Sequence, residues 1–305
     1  MNGSSNTSIE SCDLDLLSSV LMATVNSIFS FMGVIGNLLV LLAVYKTKDL
    51  QTVSNAYLVI LAIADFLTSA IAQPLLIAML IQEAKEECDE TLITVFRAVG
   101  NFTCAVSFLV LCSITTERFL AVVKPMVYRN VHPKRRFYIL TTISVILPLL
   151  YTILRVAGKK KATSYFSAII FVIGYIYILS CYLTILIQLR LHSNKMAGET
   201  TSEQETTTRR HQAEKVVSVT MAIVIGIFTV MWLPLFYFRL ARPSSNSGVG
   251  YNWVRTTALS NSALNPIVYA LRMEAFRKSF KHVVDGGLHS MIFWSPSNMA
   301  TQSTS

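Results

Sequence analysis

Asn261-Ser262-Ala263-Leu264-Asn265-Pro266-Ile267-Val268-Tyr269 lies in the last long apolar stretch of this chain. Three polar side chains, Asn261, Ser262 and Asn265, sit beside a proline inside a run of membrane length. A polar side chain in a bilayer costs free energy unless it is paired or hydrated, so such a cluster marks a functional site by default. Pro266 deletes one backbone hydrogen bond and bends the helix, a loss that neighbouring helices or water must repair. The rest of the chain has to supply both the membrane setting and the polar partners.

Composition supplies the setting. The 305 residues are 53% hydrophobic and only 14% charged, with a mean hydropathy of +0.52, against about 25% charged in soluble domains. Apolar runs fall at Ser19–Tyr45, Ala56–Ile81, Leu92–Val123, Phe137–Leu154, Tyr165–Leu189, Val216–Leu240 and Trp253–Leu271. Each meets the roughly 17–25 residues a helix needs to cross a bilayer. No internal repeat of the kind common in transporters is visible. The pattern predicts an all-α membrane protein, a seven-transmembrane helix bundle over 19–271. Residues 1–18 form an outer tail, 272–284 a short amphipathic helix and 285–305 a disordered cytoplasmic tail.

Basic residues set the orientation. Lys46, Lys48, Lys124, Arg129, Lys134, Arg135, Arg136, Arg190, Lys195, Arg209, Arg210 and Lys215 fall in the first, third and fifth loops, and Arg272, Arg277, Lys278 and Lys281 follow the last run. The first eighteen residues have no Lys or Arg and carry the acceptor sequons Asn2-Gly3-Ser4 and Asn6-Thr7-Ser8. The N-terminus is therefore expected outside, with Asn2 and Asn6 as glycan sites, and the C-terminus inside. No cleavable signal pattern precedes the first run, which is expected to direct its own insertion. The net charge of +9 fits an inner face meeting anionic lipid and cytosolic partners, and no nucleic-acid role follows. One group breaks the rule: Arg155, Lys159, Lys160 and Lys161 lie in an outer loop, and Arg97, Arg239, Arg242 and Arg255 lie near the outer ends of runs three, six and seven. They make a basic outer mouth.

Polar residues punctuate the runs. The first holds Gly36-Asn37, the second Asp65, the third Ser107 and then Glu117-Arg118-Phe119 at its inner end. The fifth holds Tyr182, the sixth Phe228 and Trp232-Leu233-Pro234. Asp65 needs Asn37, Ser107, Asn261, Ser262, Asn265, water or a cation around it. Arg118 can snorkel or pair with a carboxylate, Glu117 beside it or Glu214 at the start of the sixth run.

These residues, one set per run and in this order, resemble the rhodopsin-like G-protein-coupled receptors from Asn37 to the segment after the seventh run. The resemblance implies roles. Asp65, Ser107, Asn261, Ser262 and Asn265 match the family's sodium-binding cluster, whose oxygen ligands suit a hard cation. Arg118 matches the arginine held at rest by Glu117 and Glu214 and released to the heterotrimeric G protein. Phe228, Trp232 and Pro234 match the toggle and hinge of the sixth span, and Tyr182 and Tyr269, the latter following Asn265-Pro266, the pair that reorganises around the arginine. The expected activity is non-enzymatic: an extracellular ligand shifts a population toward the state open inside. Sodium is the expected allosteric ion, no other cofactor is implied, and arrestin, a receptor kinase and membrane lipids join the G protein as partners at the plasma membrane.

Plainer readings stand beside these. Trp232 can be a packing aromatic, and Asn37 can simply tie helices together, since polar residues glue spans. Tyr57, Tyr151, Tyr175 and Tyr177 read as packing or belt residues, the inner lysines and arginines as topology signals. Ser295, Ser297, Thr301, Ser303, Thr304 and Ser305 are kinase sites or plain disordered tail.

Departures narrow the expectation. The loop after Leu154 is short and has no Cys, so the family's usual staple to the third span cannot form. Cys104, Cys112 and Cys181 lie within runs and read as small apolar side chains; Cys12 and Cys88 lie outside and are expected to pair. The fifth run has Gly174 where most members have proline, the fourth has no Trp, and Phe119 follows Arg118 in place of Tyr. Together these resemble the melanocortin, lysophospholipid and cannabinoid branch. Leu259 stands where a retinal lysine would, which excludes retinal, and Gly100 where amine receptors carry an acid. The expected pocket is Arg97, Gly100, Asn101, Cys104, Trp232, Phe236, Arg239, Arg255 and Leu259. Its arginines point to an anionic small molecule or lysolipid, unless they only snorkel to headgroups. A peptide-activated or constitutively active receptor is the alternative. A transporter or channel lacks support for want of repeats, and a metalloenzyme because all five histidines fall outside the runs.

Overall fold

The structure is a computed structural model that describes residues 14–87, 89–158, 160–195, 202–241 and 248–292; within the helices, side chains are described except at 160–162, 164, 192–195, 202–211, 213–214, 239–241 and 286–292. Helix starts follow local chemistry. Helix α1 (Leu16–Lys46) begins where the Asp15 carboxylate accepts the Ser18 N–H at 2.9 Å. That backbone bond holds the Asp15 carboxyl below its ordinary value. Thr52 caps α2 (Val53–Leu67) by accepting from Asn55 N at 3.2 Å. Asp89 caps α4 (Glu90–Val123), accepting from Thr91 N at 2.7 Å and Leu92 N at 3.3 Å. Each cap meets an N–H that the first turn leaves without a partner. Prolines open α5 (Pro125–Asn130) and α6 (Pro133–Val156), where no N–H is needed.

Between α2 and α3 (Gln73–Ala84) the chain passes through a wide π turn, Thr68–Ala72, without leaving the helical path. The remaining elements are α7 (Lys160–Lys195), α8 (Ser202–Ala241), α9 (Val249–Ser260), α10 (Leu264–Arg272) and α11 (Glu274–Ile292). Among the described residues, six helical segments are long and apolar enough to cross a membrane: Leu16–Lys46, Val53–Ala84, Glu90–Val123, Pro133–Val156, Tyr165–Leu191 and Lys215–Phe238. The seventh apolar run is built differently. It is two shorter helices, α9 and α10, joined by a 3-10 turn over Asn261–Ala263. Helix α11 runs on past residue 284, the expected end of the amphipathic segment, to Ile292.

Burial separates two kinds of surface. Tyr57, Leu61, Leu111, Ile114, Ile178, Ile185, Met221, Tyr269 and Phe276 are buried at the centre. Along α6, by contrast, Ile139, Ile143, Ile146, Leu150 and Ile153 are exposed at helical spacing. An apolar stripe facing outward suits hydrocarbon as its solvent. Close packing needs glycine at two points. A Cβ on Gly36 would stand 3.0 Å from the Pro266 ring, and one on Gly174 would stand 2.9 Å from the Phe108 ring. Gly174 thus occupies its place in α7 because a phenyl ring fills the space a side chain would take.

Candidate functional site

Asp65, on α2, is 1% exposed. Ser107 Oγ of α4 donates to its Oδ1 at 3.0 Å, and Asn265 Nδ2 of α10 donates to its Oδ2 at 2.6 Å. Asn261 and Ser262 are also buried, and Asn261 Oδ1 has no hydrogen-bond partner among the described residues. Of the five residues expected to form one cluster, Asp65, Ser107 and Asn265 are joined by hydrogen bonds, and Asn261 and Ser262 are buried on the 3-10 turn that leads into α10. A hydroxyl and an amide dipole meet this negative charge. That donor set is oxygen-rich and carries one net charge, which fits a hard monovalent cation.

The proline accounts for the neighbouring asparagine. Pro266 has no N–H, so the carbonyl four residues back, that of Ser262, loses its helical donor. Asn37 Nδ2 supplies the bond instead, at 3.0 Å, while also reaching Gly33 O at 2.9 Å. Asn37 does more than tie helices: it repairs the break that the proline makes.

The inner end of α4 departs from the family pattern. Glu117 is 3% exposed. Arg136 of α6 grips it in a bidentate pair, Nε to Oε1 at 2.6 Å and Nη2 to Oε2 at 3.0 Å, and Tyr57 OH donates to Oε1 at 3.1 Å. Arg136 itself is 8% exposed and lies over the Tyr128 ring at 4.6 Å. The resemblance assigned Glu117 to Arg118; the carboxylate is instead taken by Arg136, because the longer reach from α6 delivers two parallel N–H groups to it. Arg118 Nη2 donates to Ser54 Oγ on α2. The Glu214 side chain lies outside the described residues.

On α8, Phe228, Trp232 and Phe236 recur every fourth residue and form one stripe. Phe228 and Trp232 stack at 5.3 Å between centroids, and Phe236 lies 3.6 Å from Phe171 of α7. Phe171 in turn stacks on Phe108 of α4 at 4.5 Å. Phe108 and Phe171 were not singled out in the sequence, since a phenylalanine in an apolar run carries no signal by itself. Pro234 lies inside α8, on the face away from this stack, and is exposed. Tyr182 and Tyr269 are buried, and Tyr269 OH has no hydrogen-bond partner among the described residues.

Toward the outer face, Gly100 and Leu259 are buried, and Arg97, Asn101, Cys104, Trp232 and Phe236 are half-buried. Arg255, 7% exposed, is no bare cation. Its Nη1 donates to Asn252 Oδ1 at 2.9 Å, and its guanidinium lies 4.6 Å from the Phe96 ring and 5.0 Å from that of Tyr251. Asn252 Nδ2 in turn donates to Glu83 Oε2 at 2.6 Å. Glu83, unremarked in the sequence, brings a carboxylate into the basic mouth. Asn26 on α1, also unremarked, donates to Thr256 Oγ1 at 2.8 Å. The Arg239 side chain, Cys12, Cys88, Asn2 and Asn6 fall outside the described residues. Cys112 and Cys181 are free thiols.

Six membrane-length apolar segments among the described residues, a buried carboxylate held by neutral donors and a half-buried arginine at the inner end of α4 define a polytopic helical membrane protein. The family model described as "7 transmembrane receptor (rhodopsin family)" matches residues 36–164 and 155–269, and the chain belongs to that family. It is 27% identical to the alpha-1A adrenergic receptor of Oryzias latipes, over 92% of this chain and 69% of the relative. It is 25% identical to somatostatin receptor type 2 of Sus scrofa, over 88% and 78%, and 26% identical to 5-hydroxytryptamine receptor 4 of Homo sapiens, over 86% and 78%. Members of this family are receptors, not enzymes, and pass the binding of an extracellular ligand to a G protein.

Proposed function

We propose that this receptor sits in the plasma membrane with its N-terminus outside and its C-terminus inside, with α9 and α10 as a broken seventh span and α11 along the inner face. Ligand at the outer pocket is coupled through the Asp65 cluster to Arg118. The observation that carries the reading is the burial of Asp65 of α2 among neutral donors from two other helices, α4 and α10. Asp65, Ser107, Asn261 and Ser262 would hold a sodium ion, which supplies the positive charge this carboxylate lacks. Asn265 donates to that carboxylate, so any shift of α10 alters the cage. A ligand that prefers the arrangement open inside moves the population by its differential affinity. Arg118, Tyr182 and Tyr269 then meet the heterotrimeric G protein, with receptor kinase and arrestin acting on the C-terminal tail.

The ligand carries an anionic group, as in a lysolipid or an acidic metabolite, facing Arg97, Arg239 and Arg255. Support comes from the desolvated guanidinium of Arg255 between aromatic rings. A second reading, a cationic amine or peptide, is favoured by Glu83 beside Asn252 and agrees with the adrenergic, serotonin and somatostatin receptors among the relatives. The melanocortin, lysophospholipid and cannabinoid branch rests on the sequence departures alone. The test is G-protein activation in cells expressing the chain, with and without Arg118→Ala, during a screen of anionic lipids, acidic metabolites, amines and peptides. A response abolished by Arg255→Ala or Arg239→Ala but kept by Glu83→Gln supports the anionic ligand. The reverse pattern supports the cationic one. High basal signal that Arg118→Ala removes and no compound changes assigns constitutive activity.

A further inference from the structure

Arg136 lies in a basic segment, Lys134-Arg135-Arg136, that membrane topology alone accounts for. Its neighbours behave as topology requires: Lys134 and Arg135 are exposed. Arg136 is not. Besides its bidentate pair with Glu117, its Nη1 reaches the carbonyls of Tyr128 and Val131 at 3.4 Å each, at the C-terminal end of the short inner helix α5. Its guanidinium also lies over the Tyr128 ring. One side chain thus touches α4, through Glu117, and both ends of the turn that leaves α5. Tyr57 of α2 completes the set through its bond to Glu117, and its ring meets Phe137, the residue after Arg136, edge-on at 4.9 Å.

We infer that Arg136 is a positioning residue that docks α5 on the bundle through Glu117, and that in doing so it withdraws Glu117 from Arg118. Both carboxylate oxygens are engaged by Arg136, one of them also by Tyr57, so the acid next to Arg118 in sequence does not restrain it. Arg118 is turned across to Ser54 on α2. The acid then orders an inner loop, and the resting restraint on Arg118 has to come from elsewhere. This second half rests on the proposed G-protein coupling; the docking of α5 does not.

The experiment uses the full-length receptor in lipid nanodiscs, as wild type, Glu117→Gln, Arg136→Met, the double variant and Arg136→Lys. Hydrogen exchange over residues 124–131 and thermal unfolding report docking without any ligand or G protein. Exchange in that segment is expected to quicken at least fivefold in both single variants, with α1 unchanged, and the double variant is expected to melt no lower than the weaker single one. Arg136→Lys, which keeps the charge but loses the fork, restores exchange only in part. Unchanged exchange, or strictly additive loss of melting temperature, overturns the docking role. Basal nucleotide exchange on added G protein tests the second half, with Glu214→Gln as a control for a restraining acid. Glu117→Gln alone is expected to leave basal exchange within twofold of wild type. Arg136→Met is expected to lower it, because the freed Glu117 meets Arg118, and adding Glu117→Gln is expected to restore it. A several-fold rise with Glu117→Gln alone overturns the withdrawal of Glu117. Basal exchange no higher than with Arg118→Ala in every variant overturns the coupling, while the exchange and melting data still decide the docking.

Discussion

Asp65 and Glu117 are both buried carboxylates in one helical bundle, and the bundle treats them in opposite ways. Glu117 receives a guanidinium and a phenol, so its charge is neutralised by the chain itself. Asp65 receives a hydroxyl and a primary amide, both neutral. Polar donors lower the cost of burying a charge without cancelling it. The first site is closed and structural; the second leaves net charge for something mobile to balance. A charge paired by a fixed partner builds the scaffold, and a charge held by dipoles alone makes the scaffold responsive.

The contrast breaks most visibly at the closed pair. Arg136→Met takes the fork from buried Glu117 and is expected to cost about 3 kcal/mol, the low end for a broken buried pair because Arg118 is at hand as a second partner, read as thermal unfolding in nanodiscs. A loss no larger than that of an exposed ion pair would show the two carboxylates to be alike. The responsive site should answer to salt composition instead. Replacing sodium by choline is expected to lower stability by up to about 2.7 kcal/mol when sodium stands a hundredfold above its dissociation constant. Asp65→Asn should remove that dependence, and a variant still sensitive to sodium would place the ion elsewhere. At the edge of the same cluster, Asn37→Ala leaves the Ser262 carbonyl without its donor and is expected to cost about 1.5 kcal/mol, with sodium sensitivity retained. The smallest effect marks an exposed carboxylate for comparison. Because the Asp15 carboxyl is held below its ordinary value, its cap contributes fully above the unfolded-state pKa and fades as pH falls through the lowered one. The protection factor of the Ser18 amide, the exchange rate corrected for its intrinsic pH dependence, should fall at acid pH, and in Asp15→Ala it should be low at every pH.

The sequence made the open site readable and hid the closed one, for a physical reason. Asp65, Ser107, Asn261, Ser262 and Asn265 interrupt apolar runs, and an interruption in hydrocarbon demands explanation. Arg136 sits among basic residues at a membrane edge, where charge is already explained, so nothing distinguishes it from Lys134 or Arg135 until burial is known. Spans were readable because bilayer thickness fixes their length. The split between α9 and α10 was only half readable: Pro266 announces a bend, but the 3-10 turn precedes it, at Asn261–Ala263. Glu83 and Asn26 were missed because their partners, Asn252 and Thr256, come from the far end of the chain.

The wide turn at Thr68–Ala72 works as a reserve of chain length on this side of the molecule. It accommodates about one residue more than an α-helical turn would, so the helix beyond it keeps the facing of an uninterrupted α-helix one residue shorter. Removing one residue inside the turn should therefore close it to α-helix and leave Leu76, Met79, Leu80 and Glu83 facing as they do. Adding one residue has no such outlet, because one residue in α-helical register is a rotation of about 100°. Glu83 would then leave Asn252, and apolar side chains inside the bundle would turn to lipid. A single deletion in the turn should thus be tolerated far better than a single insertion.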